Sequence, residues 1–201
     1  MSNFYSFFRD YSAELNKSVF NLEQNELNKI TGVIETAIKN KKNIFTCGNG
    51  GSASVSNHFL CDFNKGVNQS SKGKIKPKVI SLNTNIEMIT AISNDIDYKK
   101  IFSYQLETFA SSGDLFIAFS CSGSSKNIID ALLLAKKKKL TTIGFLGFAN
   151  KKNQNLFDYS INVGFKNYGI TEDIFQILMH AISQFIRMKS IKNFNKKKNI
   201  L

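Results

Sequence analysis

The chain has no tryptophan, one proline and three cysteines among its 201 residues. Cys47, Cys61 and Cys121 are odd in number and form no CxxC pair, which argues against a disulfide framework and a cysteine-built zinc site. Long apolar runs are also missing: none reaches the roughly 18 residues that a membrane span requires. The opening "MSNFYSFFRDYSAEL" lacks the charged start, apolar centre and small-residue cleavage site of a secretory signal. The expected location is therefore the cytoplasm, with no membrane partner. Arginine is scarce too, limited to Arg9 and Arg187, although the formal net charge is +12. The excess lies in lysine clusters: "KNKK" at 39–42, "KGKIKPK" at 72–78, "KKKK" at 136–139 and "NKKKN" at 195–199. Specific nucleic-acid sites use arginine forks or aromatics interleaved with basic residues. The scattered lysines instead read as a solvated surface that draws in anionic substrates.

With 42% hydrophobic residues the chain has enough apolar surface for one core. Residues 3–40 read as helices. The first is rich in aromatics, and the second places Leu27, Ile30, Val33, Ile34 and Ile38 on one face. Apolar strands and helices then alternate. The strands are 43–47, 78–83, 113–120, 141–148 and a fifth at "YSINVGF". Helices are expected at 52–64, in "IEMITAISN", "KIFSYQLETFA" and "SKNIIDALLLAKKKK", and in the closing "TEDIFQILMHAISQFIRMKS". The stretch "GVNQSSKGKIKP", with Pro77, reads as a polar loop. Continuous apolar strands alternating with helices predict an α/β fold with a doubly wound parallel sheet in one domain spanning 1–201. Residues 1–40 would supply contacts between subunits, or their aromatic first stretch would pack on its own domain.

Two strand–turn–helix units carry glycine and serine where an anion can rest. The first, "CGNGGSASVSNHF", satisfies GxGxxA through Gly48, Gly50 and Ala53. A dinucleotide site would also need an acid at the end of the second strand, and "SLNTN" has none. The second unit, "FIAFSCSGSSKNII", sets Ser120, Ser122, Ser124 and Ser125 around Gly123. Two such turns should face one crevice of an open α/β sheet. Serine hydroxyls and helix-start N–H groups suit a phosphate monoester. Both histidines lie nearby in pattern. His58 and Asp62 share a helix face at i, i+4. His180 lies in the closing helix, where Gln176 and Asp173 align with it better than Glu172 does. Two imidazoles with carboxylates can hold Zn²⁺ or act as an acid–base pair. Cys61 is either a further soft ligand or a small buried thiol.

These segments resemble, over nearly the whole chain, the phosphosugar-binding SIS domains, and among them the sedoheptulose-7-phosphate (phosphoheptose) isomerases. The resemblance rests on "CGNGGSASVSNHF", "ITAISND", "GDLFIAFSCSGSSKNIIDAL", "TIGFLGF" and "EDIFQILMHAI" in that order. It implies a five-stranded parallel sheet between helices, a homotetramer with sites between subunits, and a phosphorylated seven-carbon sugar as substrate. It further implies substrate contacts at Asn49, Gly50, Gly51, Ser52, Asp62, Asn94, Asp95, Ser120, Cys121, Ser122, Ser125 and Glu172. One zinc ion per subunit would be held by His58, Asp62, Glu172 and His180, with Asp62 and His180 as the acid–base pair. Two positions depart from the familiar pattern, which has glutamate at Asp62 and glutamine at Glu172. Cys121 and Ser124 stand where threonine and asparagine are frequent. The family also contains non-catalytic members that bind a sugar phosphate or a protein, and isomerases of other phosphosugars.

Overall fold

The computed structural model describes residues 3–189. The C-terminal lysine cluster and Ser190, expected to end the closing helix, lie outside them. Asn3 opens α1 (Phe4–Phe20) by accepting the Ser6 N–H at 2.9 Å, as an N-cap should. Next come α2 (Gln24–Lys39), β1 (Asn43–Gly48), α3 (Gly51–Cys61), a wider π-type turn over Asp62–Val67, and the short α4 (Asn68–Ser70). β2 (Lys78–Ser81), α5 (Ile86–Asp95) and α6 (Ser103–Phe109) precede β3 (Leu115–Ser120) and α7 (Lys126–Lys137). β4 (Thr141–Leu146), α8 (Lys151–Gln154), β5 (Tyr159–Asn162) and α9 (Tyr168–Met188) complete the described chain. None of these helices is long and apolar enough to cross a membrane.

All neighbouring strands pair in parallel, in the order β2-β1-β3-β4-β5. The expected five-stranded α/β architecture is thus present, with helices on both faces. Successive strand side chains point to opposite faces. Ile44, Leu115, Ile117 and Phe119 join α2, α3 and α9 in one core, while Phe45, Phe116 and Ala118 join α5, α6 and α7 in the other. The helices answer with apolar stripes, such as Ile30, Ile34 and Ile38 on α2 and Ile128, Ala131, Leu132 and Ala135 on α7.

One expected loop proves helical. The chain after α3 continues through the π-type turn to Ser70, where the sequence predicts a polar loop from Gly66. Phe63 and Val67, four apart, are buried in the same core as Phe59, and this burial holds the polar segment in helical form. Two of the lysine clusters also prove less scattered than their spacing implies. Lys39, Lys41, Lys74 and Lys76 rim one groove with Lys189, over an apolar floor that includes Ile38, Ile75 and Ile186.

Candidate functional site

β1 has β2 on one side and β3 on the other. The chain therefore leaves β1 and β3 toward opposite faces, and a crevice opens beyond their carboxyl ends. Gly48 and Phe119 pair at that end, which brings the two Gly/Ser turns together. The first turn bends at Gly50, whose φ of 56° favours glycine. Asn83, just past β2, fixes its start: it accepts the Gly48 N–H at 3.0 Å and donates to the Gly48 carbonyl at 2.9 Å. Asn49 and Asn127 exchange side-chain hydrogen bonds of 2.9–3.0 Å, and the Tyr98 hydroxyl donates to Asn49.

The result is a cleft of about 380 Å³, lined by Asn49, Gly50, Gly51, Ser52, Ser120, Cys121, Ser122, Ser125 and Glu172, with Phe119 and Tyr168. Ser125 occupies the position before α7 yet makes no capping bond to it. Its hydroxyl is not engaged as an ordinary cap. Glu172 enters the cleft from the first turns of α9. Ser52 donates to its Oε1 at 3.2 Å, and a Cβ on Gly51 would fall 2.0 Å from its Oε2. Glycine is what lets the carboxylate lie against the turn.

Cys121 also contacts Glu172 Oε1, at 3.8 Å. Burial foremost, with the Glu172 carboxylate beside it, pushes its thiol up to about 11. Cys47 is wholly buried and its thiol lies well above the ordinary value. Cys61, expected as a metal ligand or a buried thiol, is exposed and outside the histidine cluster described next. Iodoacetamide at neutral pH should therefore modify Cys61 alone, since thiolate and access are both needed. Peptide mass spectrometry of folded protein checks this, and rapid labelling of Cys121 would contradict it.

α3 and α9 lie side by side and run in the same direction. Ser52 meets Glu172, His58 meets Gln176, and Asp62 meets Ser183. This ladder builds a second constellation farther along the helix pair. His58 Nε2 faces Asp62 Oδ1 at 3.4 Å, and His180 Nε2 faces Asp62 Oδ2 at 3.7 Å. The two imidazoles meet edge to face with centroids 4.9 Å apart. Ser183 donates toward Asp62 Oδ2 at 3.4 Å. Asp62 opens the π-type turn, a helix irregularity frequent at functional sites. At 1.5 Å per residue, Ser52 and His58 are separated by about 9 Å along α3. The cleft and the cluster therefore sit at two stations of one helix pair.

Three of the four expected metal ligands come together. His58, Asp62 and His180 offer ligand atoms all within 4.8 Å of one another. Two imidazole nitrogens and a carboxylate fit a tetrahedral divalent cation that keeps one position open. Glu172 is not in this group; the turn of α9 that carries it faces Ser52 and Cys121 instead. Of the candidates on the closing helix, Gln176 reaches His180. Asp173 instead accepts from the Tyr11 hydroxyl at 2.6 Å, tying α1 to α9. Asn94 and Asp95 stand exposed at the end of α5, bonded to each other and outside the cleft lining. Tyr98, just beyond them, touches Asn49. Asn83, Asn127, Tyr98 and Tyr168 carried no sequence signal. Their roles arise from contacts between distant segments.

A family model described as "SIS domain" matches residues 7–147. The chain is 33% identical over 161 residues to the phosphoheptose isomerase of Clostridium acetobutylicum, covering 80% of this chain and 81% of the relative. It is 34% identical over 163 residues to that of Aliarcobacter butzleri, covering 81% and 85%. A solved phosphoheptose isomerase from Neisseria gonorrhoeae shares the fold, with a TM-score of 0.80 at 23% identity over 92% of this chain and 96% of that one.

Proposed function

The chain belongs to the SIS-domain family, alongside the phosphoheptose isomerases, and from that premise we propose that it interconverts sedoheptulose 7-phosphate and D-glycero-D-manno-heptose 7-phosphate. The observation that carries the reading is the α3–α9 pair, which holds a polar cleft and an imidazole–carboxylate cluster in line. An extended sugar phosphate has that same division, with an anion at one end and the reacting carbons at the other.

Aldose–ketose isomerisation moves a proton between C1 and C2 through an enediolate, so one group must take a carbon-bound proton while another manages the oxygens. Asp62 and His180 share those roles. Each lies within reach of the other, and each remains partly open to a substrate. Ser120, Ser122 and Ser125 hold the phosphate together with the N–H groups at the start of α7. Asn49, Gly50, Gly51 and Ser52 form the opposite wall. Glu172, acceptor only when ionised, receives a sugar hydroxyl in the cleft. Fixing the phosphate away from the reacting carbons turns binding energy into positioning.

His58, Asp62 and His180 would hold Zn²⁺. When bound, the ion polarises the hydroxyl and carbonyl oxygens of the reacting carbons. Phe4, Tyr5, Phe7 and Phe8 are exposed along α1 and supply apolar surface for a homotetramer. The enzyme works in the cytoplasm, and its product supplies heptose for a surface polysaccharide.

The test is incubation with sedoheptulose 7-phosphate in D₂O, followed by NMR, beside a panel of other ketose and aldose phosphates. Deuterium should enter at C1 or C2, with the heptose pair exchanging fastest. Faster exchange of another sugar would reassign the substrate. Exchange with none would make the chain a binding protein.

A further inference from the structure

The proposed metal cluster has a neighbour outside the expected ligand set. The Gln176 side-chain nitrogen lies 2.5 Å from His58 Nδ1 and 3.3 Å from His180 Nε2. The other nitrogen of His58, Nε2, faces Asp62 Oδ1 at 3.4 Å. A neutral imidazole carries one proton, and the hydrogen bond made by one nitrogen decides which nitrogen has it. With the amide nitrogen turned to the rings, Gln176 donates to both. His58 Nδ1 is then a lone pair, and the ring proton sits on Nε2, where the Asp62 carboxylate can receive it. That arrangement satisfies His58 without a cation, while the His180 Nε2 lone pair, 3.3 Å from the Gln176 nitrogen, also faces Asp62 Oδ2 at 3.7 Å. The same arrangement closes the metal site, because the His58 nitrogen facing Asp62 has no lone pair to give.

A cation beside Asp62 requires the other tautomer, with Nε2 bare and the proton on Nδ1. The Nδ1–H then needs an acceptor. A half-turn of the Gln176 amide puts Oε1 where Nε2 stood and provides one. The same oxygen would face the lone pair of His180 Nε2, an unfavourable approach. A cation that takes up that lone pair removes the conflict; without one, either His180 moves its proton to Nε2, where Gln176 Oε1 and Asp62 Oδ2 can accept it, or the amide turns back.

We propose that Gln176 is a positioning residue that selects, by rotation of its amide, which nitrogen of His58 is protonated. It thereby sets the affinity of the His58–Asp62–His180 site for a divalent cation. The proposal rests on the metal reading given above. Outer partners of this kind typically change metal affinity by about 10–100-fold.

The test uses the full chain, ¹⁵N-labelled, with its two histidines observed by long-range ¹H–¹⁵N NMR before and after saturation with Zn²⁺. His58 should be protonated at Nε2 in the metal-free protein and at Nδ1 in the loaded one. Competition with a chromophoric chelator gives the affinity. Gln176→Leu should raise the Zn²⁺ dissociation constant about 10–100-fold, and Gln176→Glu, whose carboxylate accepts from Nδ1–H, should restore it. A loaded His58 without a proton on Nδ1 would overturn the proposal, and so would unchanged affinity in Gln176→Leu. Gln176→Glu binding as weakly as Gln176→Leu would also overturn it, since packing would then be responsible. If Gln176→Leu does not fold, the wild-type spectra decide alone. No Zn²⁺ uptake by the wild type would defeat the metal reading itself, and this proposal with it.

Discussion

Asp62→Asn is expected to lower turnover by about 10²–10⁴-fold, the usual contribution of a positioned acid or base, while the fold survives. Asparagine keeps the shape of the side chain and its hydrogen-bonding reach toward Ser183. It loses the charge and the basic oxygens that face His58 at 3.4 Å and His180 at 3.7 Å. The side chain is 27% exposed, so removing its charge leaves no deeply buried group unpaired. Loss of deuterium wash-in from solvent, with unchanged near-ultraviolet circular dichroism, is the measurement. Asp62→Glu restores a carboxylate with one more methylene and should retain much more activity than asparagine. Wash-in at the wild-type rate in Asp62→Asn would remove Asp62 from the chemistry.

Phe119→Ala should cause a large loss of stability, about 3–5 kcal/mol. Phe119 is fully buried near the end of β3. Its ring stacks on Phe145 at 5.1 Å and lies 6.0 Å from both Phe59 and Phe175. These partners belong to β4, α3 and α9, so one ring joins the sheet to both helices that carry the histidine cluster. Close-packed surroundings relax only partly around a deleted ring, and the cavity adds to the lost transfer energy. In a chain of this size the melting temperature should fall by roughly 6–20 °C. Phe119 also backs the cleft beside Ser120, so KM should rise in whatever protein remains folded. Urea unfolding monitored by circular dichroism gives the loss. A change below about 1 kcal/mol would mean that the site collapses around the missing ring, an outcome unlike that of most aromatic truncations.

Much of the cleft was legible before any coordinates. Gly48, Gly50 and Gly51 after one apolar strand, and the serines after another, announce turns through local backbone and side-chain chemistry. Parallel topology then brings such turns to the same sheet edge. The helical run to Ser70 was not legible, because "GVNQSS" reads as the start of a polar loop. Only the burial of Phe63 and Val67 against the core stabilises it. The partner of His180 was equally hidden. Helical spacing aligns Gln176 and Asp173 with it and disfavours Glu172, yet which of them meets His58 depends on how α9 is rotated against α3. Packing turned Asp173 to Tyr11, Gln176 to the imidazoles and Glu172 to Ser52.

The order of residues alone determined the alternating α/β plan, the two anion-receptive turns and the pairing of His58 with Asp62, because each depends on spacing within a few turns of chain. Only the tertiary structure decided that His180 joins that pair and that Glu172 lines the cleft instead. Likewise, lysines from two separate clusters share one groove only once folded. The physical reason is common to these cases. Contacts between segments more than a hundred residues apart, as across α3 and α9, follow from the rotation and register of packed helices. Those are fixed by the shapes of the buried side chains between them, and no local pattern encodes them.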